Sequence, residues 1–457
     1  MLRFLLGMGV LLAGLLICWG VRFTLCPVGE SNAMHPKVLL DVGSRLVQRI
    51  LLLAHPADAV VAQFFRDNHG LGPRERLILS DTVYAVLRRK LLFEHLASSG
   101  HGPQARRMTL LGFAGPWDLL RLAVSESESA WLNQCQTLDV AALPAPCRHN
   151  LPPWLAQALQ AQVGDDFWPL VESLYLPADL AVRVNGLQAK RAQVQAELAQ
   201  LGIQSLALPY APWGLRITGK PALGKTAAFL RGAIEVQDEG AQLLAALLDA
   251  KRGEMVVDFC AGAGGKTLAI GVDMRNTGRL YAFDTQGHRL QALQPRLARS
   301  GLSNVYPMVI AHAHDERVLR LHGKVDRVLV DAPCSGLGTL RRHPDLKWRQ
   351  DEAALARMAV QQAAILQSAA RLLKPGGRLV YATCSVLQQE NEAVAKAFTQ
   401  ANADFTPLDA HDALTGLAQA AHLCSGGASG RQFLHLWPHR HQTDGFFAAV
   451  WQRARSG

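Results

Sequence analysis

"EMVVDFCAGAGGKTLAIG" runs from residue 254 to residue 271. Its apolar start, closing on Asp258, reads as a short buried strand. The small residues from Cys260 to Gly265 then make a tight turn, and Lys266-Thr267 open a helix-forming run. The same unit recurs downstream. "GRLYAFDTQGHRLQALQPRLARSGL" (278–302) is a strand with an acidic end, then a helix, and "KVDRVLVDAPCSG" (324–336) is a third strand. "QQAAILQSAARLLKPGGRLVYATCSV" (361–386) is a helix stopped by Pro-Gly-Gly, then a fourth strand. This alternation predicts an α/β fold with an open, mostly parallel sheet and helices on both faces.

In such a sheet ligands bind outside the carboxyl ends of the strands. Those ends are Asp258 with its loop to Lys266, Asp284, Asp331 to Gly336, and Thr383 to Ser385. Cys334 and Cys384 hold matching places, each just past a strand. If the two strands are neighbours, at about 4.8 Å spacing, the thiols face one cleft; the plain alternative is that cysteine packs well there. The loop "CAGAGGKT" (260–267) allows close backbone approach at a helix N-terminus. It nearly matches a phosphate-binding P-loop, with Gly265-Lys266-Thr267 in place but Cys260 at the leading glycine position, and "RVLVD" (327–331) imitates the acidic strand of a magnesium site. Asp284 suits hydrogen bonds from ribose hydroxyls, or a helix cap. NAD and S-adenosylmethionine both fit this pattern, and the two thiols favour the second.

Working toward the N-terminus, "LPADLAVRVNGLQAKRAQVQAELAQLGI" (176–203) reads as strand, Asn-Gly turn and helix, and "GLRITG" (214–219) as another strand, together a small α+β module. "LPAPCRHNLPPW" (143–154), with four prolines, reads as a linker or domain edge. From about 34 to 130 the pattern is helical: in "GPRERLILSDTVYAVLRRKLLFEHLA" (72–97) Leu79, Val83, Val86, Leu87 and Leu91 recur every three or four positions, and Pro73 suits a first turn. Residues 410–443 read as loop. "FLLGMGVLLAGLLICWGV" (4–21) is eighteen apolar residues between Arg3 and Arg22, open to reading as an anchor, a signal peptide or an upstream extension. Met34 offers another initiator, and an extension or a cytoplasm-facing anchor is favoured over a signal peptide.

The chain of 457 residues has room for two or three domains, and its 49% hydrophobic content excludes a disordered protein. The formal net charge of +10, with clusters Arg88-Arg89-Lys90, Arg106-Arg107 and Arg341-Arg342, suits a polyanionic partner. Eight cysteines without a CxxC exclude a small disulfide scaffold. His312/His314 and His439/His441 lack companions at metal-ligand spacing, so no metal is expected. A reducing, cytoplasmic setting is the default.

"DFCAGAGGKT" (258–267), "DAPCSGLGTLRRHPDLKW" (331–348) and "LVYATCSVLQQENE" (379–392) resemble the signature motifs of the RsmB/Nop/Sun family of RNA cytosine-5 methyltransferases. "VRVNG" (182–186), "VQDEGAQL" (236–243) and "DGFFAAVW" (444–451) resemble its flanking motifs in the right order, and the likeness is greatest to bacterial RsmB-type ribosomal RNA enzymes. The resemblance implies a Rossmann-like class I methyltransferase domain at 236–457, behind a small RRM-like subdomain at 151–235. It also implies a shortened NusB-like helical domain at 34–150, with 1–33 an extension or anchor. The helical domain is read either as an RNA-docking unit or as a structural cap. The RRM-like module lacks an aromatic-rich strand and is expected to buttress the catalytic domain and line the RNA groove.

The resemblance also implies the chemistry. Carbon 5 of cytosine is a poor nucleophile until a thiolate adds at carbon 6. The family pattern makes Cys384 that nucleophile and gives Cys334 the release of product, with Asp331 on the cytosine ring and Lys266 beside the base. A free thiol is mostly protonated at neutral pH, so a group such as Lys266 is expected to favour the thiolate. S-adenosylmethionine would lie against Cys260, Ala261, Gly262, Ala263, Gly264, Gly265, Lys266, Asp284, Asp315 and Asp331. Gly262 and Ala263 depart from the commoner Cys-Ala-Ala-Pro-Gly-Gly-Lys-Thr form, and Asp315 sits in "AHAHDER" (311–317) rather than Gly-Asp-Gly. Cys260 is expected to pack or present its backbone, and Cys18, Cys26, Cys135, Cys147 and Cys424 to be ordinary thiols. The expected partner is RNA, small-subunit ribosomal RNA foremost, naked or in a pre-ribosomal particle, bound by a monomer with no obligate protein partner. The competing readings are a tRNA substrate, a P-loop NTPase, or a non-catalytic RNA-binding assembly factor.

Overall fold

A computed structural model describes residues 34–414, 416–417, 423 and 432–455. The apolar stretch 4–21 and Cys18, Cys26 and Cys424 lie outside the described residues, among which no helix is long and apolar enough to cross a membrane.

The larger sheet has eight strands: β5 (Met255–Asp258), β6 (Arg279–Asp284), β7 (Val305–Val309), β8 (Val325–Asp331), β9 (Leu373–Thr383), β10 (Phe405–Leu408), β11 (Phe433–Leu436) and β12 (Phe446–Arg453). Their order is β10-β12-β9-β8-β5-β6-β7, with β11 also paired to β12. Strands β5 to β9 are mutually parallel and β12 runs antiparallel to β9. Val256 and Val257 on β5, Val328 to Val330 on β8 and Leu379 to Ala382 on β9 are fully buried, since helices cover both faces. The order reverses between β5 and β8, so the crevice outside their carboxyl ends is the topological switch point. The sequence reading had four strands. The loop expected at 410–443 contains β11, a four-residue strand too short to show a period of two.

The smaller sheet, β1 (Leu180–Val184), β2 (Ser205–Ala207), β3 (Gly214–Ile217) and β4 (Ile234–Val236), is antiparallel in the order β2-β3-β1-β4. Its Asn-Gly turn is a fastener: Asn185 Nδ2 donates to the Gly232 carbonyl at 3.2 Å and the Ser300 carbonyl at 3.1 Å, the latter at the end of the helix Gly287–Ser300.

The helical region is built on the helix Pro36–Leu51, whose Leu39, Leu40, Val42, Leu46, Val47 and Ile50 face one core. The periodic run 72–97 is helical but divided into Pro73–Arg88 and Lys90–Ala97, because Arg89 leaves helical geometry at φ −118°, ψ 31°. The freed Leu92 N–H donates to the buried Asn150 Oδ1 at 3.0 Å. The proline-rich stretch around Asn150 is no slack linker: it starts the helices Ala145–His149 and Pro153–Val163, and buries Cys147, His149 and Leu151.

The basic clusters are largely structural. Arg106 pairs with Glu128 at 2.5 Å and Asp41 at 2.8 Å, and Arg107 donates to the Gly100 and Gly102 carbonyls. Arg341 is 7% exposed and donates to the Gln442 and Pro177 carbonyls, while Arg88 donates to the Arg341 carbonyl at 2.9 Å. Lys90 pairs with Glu94 at 2.8 Å, and Arg89 lies over the Tyr175 ring. Guanidinium groups with several fixed donors suit such internal bracing.

Candidate active site

The glycine turn after β5 is held from three sides. Gly264 has φ +82°, and a Cβ there would lie 2.1 Å from Leu293 Cδ1, so only glycine fits. Gly262 N donates to Asp284 Oδ2 at 2.8 Å, fastening the turn to the end of β6. The helix Gly265–Asp273 then starts with its N-terminus at the crevice. Asp284 Oδ1 accepts from Gln286 N at 2.7 Å, so Asp284 caps the next turn as well. A carboxylate has about four acceptor positions; one on each oxygen stays available for a hydroxyl pair such as a ribose diol.

Lys266 Nζ lies 2.7 Å from Asp331 Oδ2 at the end of β8 and 5.8 Å from the Phe446 ring centroid. Burial works against its charge, but Asp331 outweighs burial and raises the ammonium above its ordinary value, with Cys384 contributing in the same direction. Thr267, fully buried, donates to Asp258 Oδ2 at 2.7 Å. Burial pushes Asp258 up to about 7, and its Oδ1 has no hydrogen-bond partner. Cys260 is also pushed up, first by burial and then by Asp258, Asp331 and Asp284; its side chain packs against the core, which leaves its backbone toward the turn.

The two thiols meet. β8 and β9 pair directly, with Asp331 opposite Ala382, and Cys334 Sγ stands 3.2 Å from Cys384 Sγ. Their contact raises the Cys334 thiol well above its ordinary value, and burial adds to this. The loops that bear them are also stitched by backbone: Gly338 N donates to the Cys384 carbonyl at 2.8 Å, and Gly445 N to the Gly338 carbonyl at 2.7 Å. A Cβ on Gly338 would lie 2.0 Å from the Gly445 oxygen, so this crossing needs glycine.

Asp315 is the predicted residue with the plainest other duty. It caps the short helix Glu316–Leu319, accepting from Arg317 N and Ala311 N at 2.9 Å each, and these bonds lower its carboxyl below the usual range. Several site residues had no assigned role in the sequence reading. Asp258 was noted only as a strand end. Glu390 and Asn391 belong to the quoted "QQENE" run, where an acid and an amide after a strand were the available signal. Arg342, bound to Asp238 at 2.9 Å and Asp444 at 2.5 Å, joins three of the quoted motifs.

The loop carrying Cys334 continues into the helical region. Ala57 N donates to Asp345 Oδ2 at 3.2 Å, Lys347 Nζ to the Arg88 carbonyl at 2.9 Å, and Trp348 Nε1 to the Leu87 carbonyl at 2.8 Å. Lys347 is 3% exposed, and burial lowers its ammonium to about 7.

A parallel sheet in this order, continued through the antiparallel β12, with a glycine turn at its switch point and an acidic end on the neighbouring β6, defines a Rossmann-like methyltransferase. The family model for 16S rRNA methyltransferase RsmB/F matches residues 245–452, and that for the RsmF/B-like ferredoxin-like domain matches 151–223. A probable ribosomal RNA small subunit methyltransferase B from Synechocystis is 31% identical over 84% of this chain and 93% of its own length. A protein of the same description from Bacillus subtilis is 33% identical over 65% of each chain. The crystal structure of PH0851 superposes with a TM-score of 0.74 at 25% identity, covering 93% of this chain and 100% of that one. The chain belongs to the RsmB/Nop/Sun family.

Proposed function

We propose that the protein transfers a methyl group from S-adenosylmethionine to carbon 5 of a cytosine in small-subunit ribosomal RNA. The observation that carries this reading is the pair of thiols, 3.2 Å apart, at the ends of the strands beside the Lys266–Asp331 pair. One thiol is enough to add and leave again; a second in contact with it fits a site where one sulfur forms the carbon–sulfur bond and the other assists its release.

S-adenosylmethionine, when bound, supplies an electrophilic methyl group on a cationic sulfonium. The glycine turn 260–265 and the free acceptor positions of Asp284 fit its nucleoside. Asp258, Asp284 and Asp331 line the strand ends, and Lys266 is paired to Asp331 rather than free for a phosphate, an arrangement that suits a cationic sulfonium better than a polyphosphate. Thr267 spends its hydroxyl on Asp258, whereas a P-loop would need it for magnesium. Asp315, committed to its cap, adds at most an outer wall.

Cys384 adds as thiolate to carbon 6 of a cytosine that has left its stack, with Lys266 beside the base. The addition makes carbon 5 nucleophilic. Asp331 steadies the ring where charge accumulates. After methyl transfer water takes the carbon 5 proton, the C5–H electron pair re-forms the carbon 5–carbon 6 double bond, and the C6–S pair leaves with Cys384 as thiolate, with Cys334 serving this release. The cytoplasm, where ribosomal RNA and its particles lie, is the proposed setting.

The test is asymmetric. Protein starting at Met34 is incubated with labelled S-adenosylmethionine and RNA or ribosomal subunits from cells lacking the enzyme. Wild type should yield 5-methylcytosine, Cys384→Ser should yield none, and Cys334→Ser should accumulate a covalent protein–RNA band under denaturing conditions. Equal loss in both variants with no trapped complex would overturn the assignment of the two thiols. Label appearing in tRNA instead would move the substrate.

A further inference from the structure

Between the two cysteine loops lies a carboxylate that the mechanism above does not use. Glu390 is 0% exposed. Its Oε1 accepts from Ser335 N at 2.8 Å and Gln362 Nε2 at 3.0 Å, and its Oε2 from Ser335 Oγ and Ser385 Oγ at 2.5 Å each. Ser335 follows Cys334 and Ser385 follows Cys384, so one carboxylate grips the neighbour of each thiol. Four donors fill the acceptor positions of a carboxylate, which is the condition for keeping such a group buried.

The grip is braced. Gln362, fully buried on the helix Glu352–Ala370, also donates to the Pro333 carbonyl at 2.9 Å. Asn391 accepts from Thr383 Oγ1 at 2.6 Å and donates to the Ser385 carbonyl at 3.1 Å. Tyr381 OH donates to the Glu390 carbonyl at 2.6 Å. Gln362 and Asn391 thus hold the backbone next to each thiol, at Pro333 and Ser385, and Tyr381 holds Glu390 itself.

We propose that Glu390 is the positioning residue that sets the spacing of Cys334 and Cys384. This rests on the roles given above to the two thiols. Thiol addition and thiol release follow one another on one base, so both sulfurs must reach carbon 6 or its neighbourhood without rearrangement of the loops. Pairing of β8 with β9 fixes the backbone up to Ala382; beyond it the carboxylate acts with the Gly338–Cys384 backbone bond to hold the two loops together. Misplacement by about 1 Å costs about 100-fold in such a step.

The test separates spacing from chemistry by reading the thiols without RNA. Phenylarsine oxide condenses with two neighbouring thiols, releasing water and closing an As–S₂ ring only where the sulfurs can approach one another. Wild type should bind it tightly, and Cys334→Ser should not. Glu390→Gln should weaken that binding at least tenfold and slow single-turnover methyl transfer by about 100-fold, with KM for S-adenosylmethionine unchanged. Glu390→Asp should recover part of both. Should Glu390→Gln fail to fold, Ser335→Ala and Ser385→Ala each remove one donor and should weaken arsenical binding and turnover together. Slow turnover with wild-type arsenical binding, or wild-type values for both, would overturn the proposal. A wild type that holds the arsenical but methylates no cytosine would refute the proposed reaction and leave the positioning intact.

Discussion

Replacing Asp331 by Asn, Lys266 by Met, and both together tests the pair that connects the glycine turn to the β8 cysteine loop. Lys266 keeps 12% side-chain exposure and Asp331 28%, at a separation of 2.7 Å. Removing Asp331's charge leaves a buried ammonium without its counter-charge, which costs about 3 kcal/mol, at the lower end for such pairs because water reaches the Asp331 side. Lys266→Met leaves a carboxylate that water can partly solvate, costing about 1 kcal/mol. The double variant has no orphaned charge and places an apolar chain against Phe446, so it should lose about 1 to 2 kcal/mol, giving a coupling of about 2 to 3 kcal/mol. Urea unfolding of all four proteins at constant m-value measures this. The pH dependence adds a signature. In wild type the Lys266 ammonium is raised above 10.5, so its contribution persists at all lower pH and is lost only as pH rises through the folded value. In Asp331→Asn burial prevails and depresses it, so that variant's deficit should shrink as pH climbs toward 10. A coupling below about 0.5 kcal/mol, or a deficit independent of pH, would refute the pairing.

Other outcomes follow from the same geometry. Asp284→Ala should weaken binding of S-adenosylhomocysteine by about 10- to 100-fold in calorimetry, the value of charge-assisted hydrogen bonds to hydroxyls; unchanged affinity would remove Asp284 from the cofactor site. Gly338→Ala brings a Cβ within 2.0 Å of the Gly445 oxygen and should break two loop hydrogen bonds, lowering stability by about 2 to 4 kcal/mol by urea unfolding. Lys347→Met removes a cation whose folded value, about 7, lies below its ordinary 10.5. Wild type should therefore gain stability relative to the variant by about 1.4 kcal/mol per pH unit between pH 7 and 10, read as a wild-type melting temperature that rises relative to the variant's.

Much of the catalytic sheet was legible because β5, β6, β8 and β9 are apolar runs closed by Gly, Asp or Cys, and fully buried strands look like that. β7 contains Pro307 and β11 has four residues, too little for a period to show. That the two cysteine loops face one cleft followed from strand ends and spacing, since adjacency of β8 and β9 brings them there. What the sequence could not show is partnership across distance. Arg341 and Arg342 look like a nucleic-acid patch until the carbonyls and carboxylates around them are seen. The break at Arg89 is matched by a bond from Leu92 N–H to Asn150, 58 residues beyond Leu92. Glu390 was visible as a letter in a motif, but its role depends on four donors from three separate segments.

The position of β12 has a consequence for how the protein is made. This strand, residues 446–453, lies inside the sheet between β9 and β10, and the residue before it, Gly445, secures the loop beyond Cys334. During synthesis both cysteines leave the ribosome more than fifty residues ahead of the strand that flanks them. Until then β9 has an open edge, which is the kind of edge that chaperones or wrong partners occupy. The nascent chain therefore carries both thiols before it has a catalytic cleft, and competence arrives in one late, long-range step.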